Sequence, residues 1–519
     1  MKRLTAAMLM LCLLLCDIPL SFASNVDNYL TVGIQSTKTT LIKPLEPKER
    51  DIMSVYGLVY ESLVTIDDNY LPQPYLASGW EESNNGKTWT FTLRENVFFS
   101  DGTPLTANDV VATAEYIIAR ATEENSTDKG YYVNLPYFIS SITAEGTNKV
   151  VVKAKRRYYG LLYAMTFPVL PADRVAAENP PGTGPYTISM FDPGNLILLD
   201  ANKLWWQQQP QVQEIRFDCF STPKEVMESY EYARVDTIFT RDLAAAQHKS
   251  GTNSITIDTR TNQLETLVMN FSSSPLDDPN IRKAIRYIVD PDKLAAQAYN
   301  GMVQRTDTPM IPGTWLYNDN LTGYFKRDEA EARRLLEESG WTDTDGDGVL
   351  DKPKADGSGL YRMHIRIFYY EEPDNDVRAS AANAIADMLT PFGFECAVVA
   401  LNMNDMKEKL KAGAYDLALV SYAMDVCPDP TFLVYKSNTG NFMRYNSGEM
   451  NDLCDRLREQ STQAGYQEYV YKIQEKFAQD CPFICLYYRQ GAVLTRKMYT
   501  TVRDIRELEL MRGIETFHN

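Results

Sequence analysis

Hydrophobic and polar positions along the chain alternate between two periods. Residues 89–94 alternate apolar and polar side chains and predict a strand. Asp101-Gly102-Thr103-Pro104 supplies a turn, Gly tolerating positive φ and Pro fixing the next dihedral. Thr106-Ala107-Asn108-Asp109 then caps a helix that continues through Val110, Ala114, Ile117 and Ile118. Residues 150–155 predict another strand, and the Pro/Gly cluster over 180–185 leads into a third at Tyr186. Beyond residue 264 the chain reads as strand 267–271, helix 281–289, helix 329–339, strand 364–369 and helix 377–389. Strands 396–400 and 416–421, helix 467–479 and a closing strand 483–495 follow. Helical crossovers of this size predict a largely parallel, doubly wound sheet in that region. With 519 residues and no low-complexity linker, the chain predicts an α/β protein of more than one lobe, joined by strands that cross between them.

The first residues change the picture of where such a chain works. Met1-Lys2-Arg3 is basic, residues 4–16 are uncharged, and Ser21-Phe22-Ala23 places small residues before a cleavable bond. This is the build of a secretory signal peptide, too short for a span of roughly 20 apolar residues. Leu11 and Leu15 precede Cys12 and Cys16, where lipid attachment would want a small residue, so release after Ala23 is expected. The protein is then extracytoplasmic, in a periplasm or at a cell surface, and not anchored by a span.

Composition adds mainly exclusions. The formal net charge is −17, and cleavage at Ala23 would leave the chain one unit more negative. An acidic chain is no partner for nucleic acid, whose phosphates demand a basic surface. Only three His occur, at positions 248, 364 and 518, which disfavours a His-rich metal centre; His364, inside a strand, reads as a core histidine. Asn85-Gly86-Lys87-Thr88 carries a phosphate-loop fragment, but Glu81 stands where the first Gly belongs. Gly182-Thr183-Gly184 lacks the third Gly of a dinucleotide fingerprint, and neither a Gly-x-Ser-x-Gly elbow nor a His-Glu-x-x-His pair is present. Enzymatic catalysis has little support, a secreted acid/base hydrolase being the disfavoured alternative.

Two further features concern structure. Asp343, Asp345, Asp347 and Asp351, with Gly348 in the same loop, approach the pattern of a calcium loop, although Lys354 replaces the closing Glu. No cofactor is required; a structural calcium here is weighed against a plain acidic turn. Six cysteines would survive cleavage, and their pairing stays open. Cys481 and Cys485 read as one strand, which separates them by about 13 Å and bars a mutual disulfide.

Longer motifs resemble a known family. Tyr75-Leu76-Ala77-Ser78-Gly79-Trp80, Gly86 to Arg94, and Val97 to Val110 form a long signature. Leu58 to Leu63, Gly182 to Tyr186, Met269-Asn270-Phe271, Asp278 to Ile285 and Pro428-Asp429-Pro430 accompany it in order. The set resembles family 5 of the bacterial extracellular solute-binding proteins, the oligopeptide-, dipeptide- and nickel-binding components of ABC importers. The resemblance implies a type II periplasmic-binding-protein-like fold, with two lobes closing on a ligand and an extra subdomain in the first. It implies lobe I over 24–265 (subdomain about 71–175), lobe II over 266–489 and a return to lobe I over 490–519. A monomer is expected to capture a peptide and deliver it to membrane permease subunits. A nickel-chelate or oligosaccharide receptor on the same scaffold is the alternative.

The same resemblance nominates site residues. Asp425, in Ser421-Tyr422-Ala423-Met424-Asp425, takes the place of an acid that holds a peptide's amino terminus, and Tyr422 that of an aromatic wall. A solvated loop Asp is the other reading of Asp425. Where some members carry an Arg for the ligand carboxylate, the chain shows Tyr369-Tyr370-Glu371-Glu372 and Leu419. Tyr370 and Glu371 are candidates there, Glu371 favouring a cationic ligand; Ser36 and Tyr132 are further candidates.

Overall fold

A computed structural model describes residues 29–124, 130–250, 254–354, 356–372, 375–424, 429–499 and 505–518. The first 28 residues, and with them the expected signal peptide, lie outside the described residues, as do Asp425 and Cys427.

One sheet of eleven strands runs through both lobes, and two long strands make it continuous. Ile255–Met269 and Phe483–Thr495 pair antiparallel along most of their lengths, with register shifts between Arg260 and Leu264 and between Glu265 and Thr266. The first half of Ile255–Met269 is mostly polar and partly exposed, with Thr259 and Thr261 buried; from Leu264 onward every residue is buried. On the first-lobe side, Phe483–Thr495 pairs with Thr237–Thr240, which lies parallel to Tyr29–Gln35, itself parallel to Glu214–Phe220. On the second-lobe side, Ile255–Met269 pairs antiparallel with Leu417–Ala423, beyond which lie His364–Tyr370 and Glu395–Leu401, both in parallel register. The second-lobe sheet is therefore mixed: its parallel trio ends against two antiparallel crossing strands.

A separate four-stranded antiparallel sheet (Ala77–Ser83, Thr88–Leu93, Lys149–Ala154, Ile139–Glu145) packs with the helix Ala107–Thr122 as the first lobe's additional layer. At the head of that helix the Asp109 carboxylate accepts from both the backbone N–H (2.8 Å) and the hydroxyl (2.7 Å) of Thr106, fixing the entry turn. Among the described residues no helix is long and apolar enough to cross a membrane.

The motif glycines serve close approach. A Cβ on Gly182 would lie 1.9 Å from the Val59 carbonyl oxygen, and one on Gly184 2.6 Å from that of Leu58. Asn270 likewise clamps a turn, donating to the carbonyls of Gly413 and Tyr415 at 2.8 Å each. Two expectations are corrected. Cys481 does not open the last strand; it caps the helix Gln463–Asp480 in a left-handed conformation, and the strand starts at Phe483. Cys481 and Cys485 are nonetheless both free thiols, as are Cys219, Cys396 and Cys454. His364 is not a core residue: it stands exposed at the start of its strand, 3.4 Å from Glu395, because that strand's first position lies at the open end of the sheet.

Candidate functional site

Strand direction alone locates the cleft. Ile255–Met269 starts in the first lobe and ends in the second. The first-lobe trio runs in the same direction, since it reaches this strand through an antiparallel partner, and so points its carboxyl ends at the second lobe. The second-lobe trio runs oppositely and points its carboxyl ends at the first. In each trio the middle strand has its two parallel neighbours reached by connections to opposite sides, which opens a crevice at the carboxyl edge. The two crevices face each other across the crossing at 260–264.

The first-lobe edge carries Gln35, Ser36, Ser221 and Arg241. Gln35 donates its backbone N–H to Asp51 (2.9 Å) and its side-chain amide to the Ser221 carbonyl (3.1 Å). Ser36 is buried and donates its hydroxyl to Glu49 at 2.8 Å; Glu49 also accepts from Thr37 and Thr39. Burial alone would raise the Glu49 carboxyl, but these hydrogen bonds outweigh it and hold the pKa below the ordinary value. Ser36 thus fixes the loop leaving the first strand. Beside it, the buried Glu507 carboxylate is ion-paired with Arg50 and Arg241 and accepts from the Asn262 N–H at 3.2 Å. The Nε of Arg241 is buried without a partner.

The second-lobe edge carries Tyr370, Glu371 and Glu372 at the end of one strand and Tyr422 at the end of its neighbour. Glu371 is exposed, its backbone N–H donating to the Leu401 carbonyl at 2.9 Å. Tyr422 is buried against Phe432, Phe442 and Phe483, its hydroxyl donating to the Gly440 carbonyl at 2.9 Å. Asp425 follows that strand within two residues of its last described position and lies outside the described residues. Tyr132 sits apart from this edge, in the first lobe, edge-on to Tyr131 with ring centroids 5.0 Å apart.

One residue at this edge escaped the sequence reading. The expected arginine position shows no Arg at 369–372, but the helix Val377–Leu389 opens with Arg378, buried to 2% exposure. Arg378 donates to Glu265 (3.0 Å) and Glu372 (2.9 Å) and lies over the Tyr370 ring at 3.9 Å, while the Tyr370 hydroxyl reaches Glu372 at 3.2 Å. Its partner Glu265 is 113 residues away, so no local spacing announces it. A contact between the lobes was also missed: the Tyr158 hydroxyl donates to Asp429 at 2.7 Å, joining the first lobe to the second.

The calcium-like loop is on the second lobe. Asp343, Asp345 and Asp351 bring carboxylate oxygens within 4.8 Å of one another, while Asp347 turns to Arg362 at 2.7 Å. Asp343 accepts from the N–H groups of Gly346, Asp347 and Gly348, and Asp351 from the Thr344 hydroxyl, so the turn is held by its own hydrogen bonds. Three oxygens suit a hard cation; the usual coordination number asks for more.

Two lobes with facing carboxyl edges, joined by two crossing strands, form a receptor that closes on its ligand about a hinge. The chain belongs to the bacterial extracellular solute-binding proteins, family 5, whose model matches residues 72–443. It is 21% identical over 499 residues to the oligopeptide-binding protein AppA of Bacillus subtilis, covering 91% of this chain and 89% of that protein. The nickel-binding periplasmic protein of Escherichia coli is 27% identical over 316 residues, 58% of this chain and 59% of its own length. The crystal structure of the ABC transporter substrate-binding protein CtaP of Listeria monocytogenes shares the fold, with a TM-score of 0.79 at 18% identity, covering 95% of this chain and 99% of that one.

Proposed function

We propose that this protein captures peptides between its lobes outside the cytoplasm and presents them to the permease subunits of an ABC importer, acting as a monomer without catalysis. The observation that carries the reading is the pair of facing carboxyl edges. An acid, Asp425, follows the second-lobe edge in sequence, and an arginine with 29% of its side chain accessible, Arg241, follows a first-lobe strand. A zwitterion laid across the crossing would set its ammonium against Asp425 and its carboxylate against Arg241. The near full-length likeness to an oligopeptide-binding relative supports the same ligand class.

A nickel-chelate receptor is the second reading, favoured by the nickel-binding relative. Histidine placement argues against direct ligation of a metal in the cleft. His364 starts its strand, at the end away from the carboxyl edge, and His248 lies 3.8 Å from Glu231.

Thermal-shift titration of the mature chain with a free-amine peptide library, nickel chelates and simple sugars tests the reading. Binding at a hundredfold excess over Kd stabilises by about 2.7 kcal/mol, so peptides should raise Tm by several degrees and Asp425→Ala should weaken them roughly 30-fold or more. A shift with a chelate or sugar and none with peptides would make the substrate class wrong. Undiminished peptide affinity in Asp425→Ala would remove that residue as the anchor.

A further inference from the structure

The lobes meet a second time, away from the two crossing strands. Residues 157–159, which follow the strand Lys149–Ala154 of the first lobe's additional layer, lie against the second-lobe loop that leads into the helix Gln463–Asp480. The Tyr159 N–H donates to the Gln460 carbonyl at 2.6 Å, the Arg157 guanidinium to the Glu459 carbonyl, and the Tyr158 hydroxyl to Asp429 at 2.7 Å. Donors also cross in the other direction. Trp315 of the second lobe gives its backbone N–H to the Asn69 carbonyl (3.2 Å) and its indole N–H to the Tyr70 carbonyl (3.1 Å). Between these bonds the rings of Tyr159, Trp315 and Tyr466 meet pairwise with centroids 5.6 to 6.3 Å apart, Tyr159 and Tyr466 being buried. The Gly-Lys-Thr fragment that resembled a phosphate loop belongs to this contact. A Cβ on Gly86 would stand 2.6 Å from both Arg157 Cγ and Ser461 Cβ, so the hairpin tip is bare where the second lobe approaches it.

Three properties set this contact apart from a permanent weld. Among the described residues no strand ladder crosses it; side chains on carbonyls, isolated backbone bonds and ring edges hold it. It spans the same gap as the cleft. Its inner end is at the crossing, where Arg506 donates to the carbonyls of Ile66 (2.6 Å) and Asp67 (2.8 Å) just ahead of Asn69, and its outer end reaches Asp429, past the carboxyl end of Leu417–Ala423. Swinging the lobes apart about the crossing therefore separates these groups. Finally, its residues are not those of the two facing carboxyl edges, so its strength owes nothing to a ligand lying between them.

We propose, on the basis of the receptor reading above but independently of its ligand class, that this contact is a latch that holds the lobes shut whether or not the cleft is occupied and must part before a ligand enters or leaves. Because the latch is made in both the empty and the loaded closed forms, its strength cancels from the affinity and governs only the rates of entry and exit.

Hydrogen exchange on the ligand-free mature chain tests this, since the Tyr159 and Trp315 amides donate across the gap from opposite lobes. Both should be protected and exchange at one common rate, that of opening. Arg157→Ala should speed both roughly tenfold, the factor for losing a hydrogen bond from a charged group. Amides in the ladder between Ile255–Met269 and Phe483–Thr495 should keep their rates. Acceleration at Tyr159 alone would reduce the contact to local fraying and overturn the latch, as would unchanged rates at both amides. Equal acceleration in the ladder would mean that the whole fold had loosened, and would overturn it too. Small-angle scattering supplies the second reading, with no ligand needed. The parent should match the curve of the closed structure and Trp315→Ala should expand beyond it; a parent already expanded would show that the contact does not hold the empty receptor shut.

Discussion

The two edges of the cleft are each built around one buried charge, and the charges are opposite. On the first-lobe edge the centre is an acid, Glu507, held between Arg50 and Arg241. On the second-lobe edge it is a base, Arg378, held between Glu265 and Glu372. The partners also differ in exposure. Arg50 and Arg241 keep 45% and 29% of their side chains accessible, whereas of Arg378's partners Glu372 keeps 23% and Glu265 only 2%. Glu507 therefore has partners that water can replace, while Arg378 and Glu265 depend on each other. The first-lobe cluster is suited to rearranging when a ligand arrives; the second is a fixed post at the hinge, beside the register shift at Glu265.

Arg378→Ala should have the largest effect, because it strands Glu265 in the interior. Loss of one member of a buried pair costs about 3–5 kcal/mol, which calorimetry would register as a fall in Tm. Replacing both members together, Arg378→Met with Glu265→Leu, should recover most of that; failure to recover would show that the post does more than neutralise charge. Glu507→Gln comes next, at about 1.5–3 kcal/mol for hydrogen bonds to charged groups. A cost equal to that of Arg378→Ala would erase the distinction between the two centres. Asp425→Ala should weaken peptide binding roughly 30-fold or more while changing the stability of the ligand-free protein by no more than about 0.5 kcal/mol.

An exposed pair sets the lower bound of the scale. Burial nudges the Asp101 carboxyl up, but hydrogen bonds from Thr103 and the Arg174 guanidinium prevail and hold it at about 2 against an ordinary 3.8. The unfolded chain then binds more protons than the folded one between about pH 4 and 2. The stability Asp101 lends is present above that window and lost as pH falls through it. Asp101→Asn should cost less than about 1 kcal/mol at pH 7, and the difference should vanish near pH 2 in urea melts. A persistent difference there would assign the effect to packing.

How far this architecture could be read from the chain depended on whether a segment's environment is uniform. The closing strand at 483–495 and the helix at 377–389 are found where their periodicity puts them, each having one consistent environment. The crossing strand was legible only in its apolar second half. Ile255 to Gln263 is mostly polar where it passes between lobes, and its buried positions there include the polar Thr259 and Thr261, so it carries little apolar strand signal. The motif residues turned out to build the frame: Glu61 anchors two indoles, Asn270 a turn, Gly182 and Gly184 a close backbone approach. The charged centres could not be read, since Glu507 pairs with Arg50 across 457 positions and with Arg241 across 266.

The path of Phe483–Thr495 also sets a timetable. Residues 237–240 of the first lobe pair with residues 492–495, and the segment 505–515 seals the same lobe from below. The lobe begun at Tyr29 cannot complete its sheet until almost the whole polypeptide has been made. Contacts of such sequence separation form late and leave unpaired strand edges waiting meanwhile. A nascent chain built this way becomes a finished receptor only once its last strand emerges.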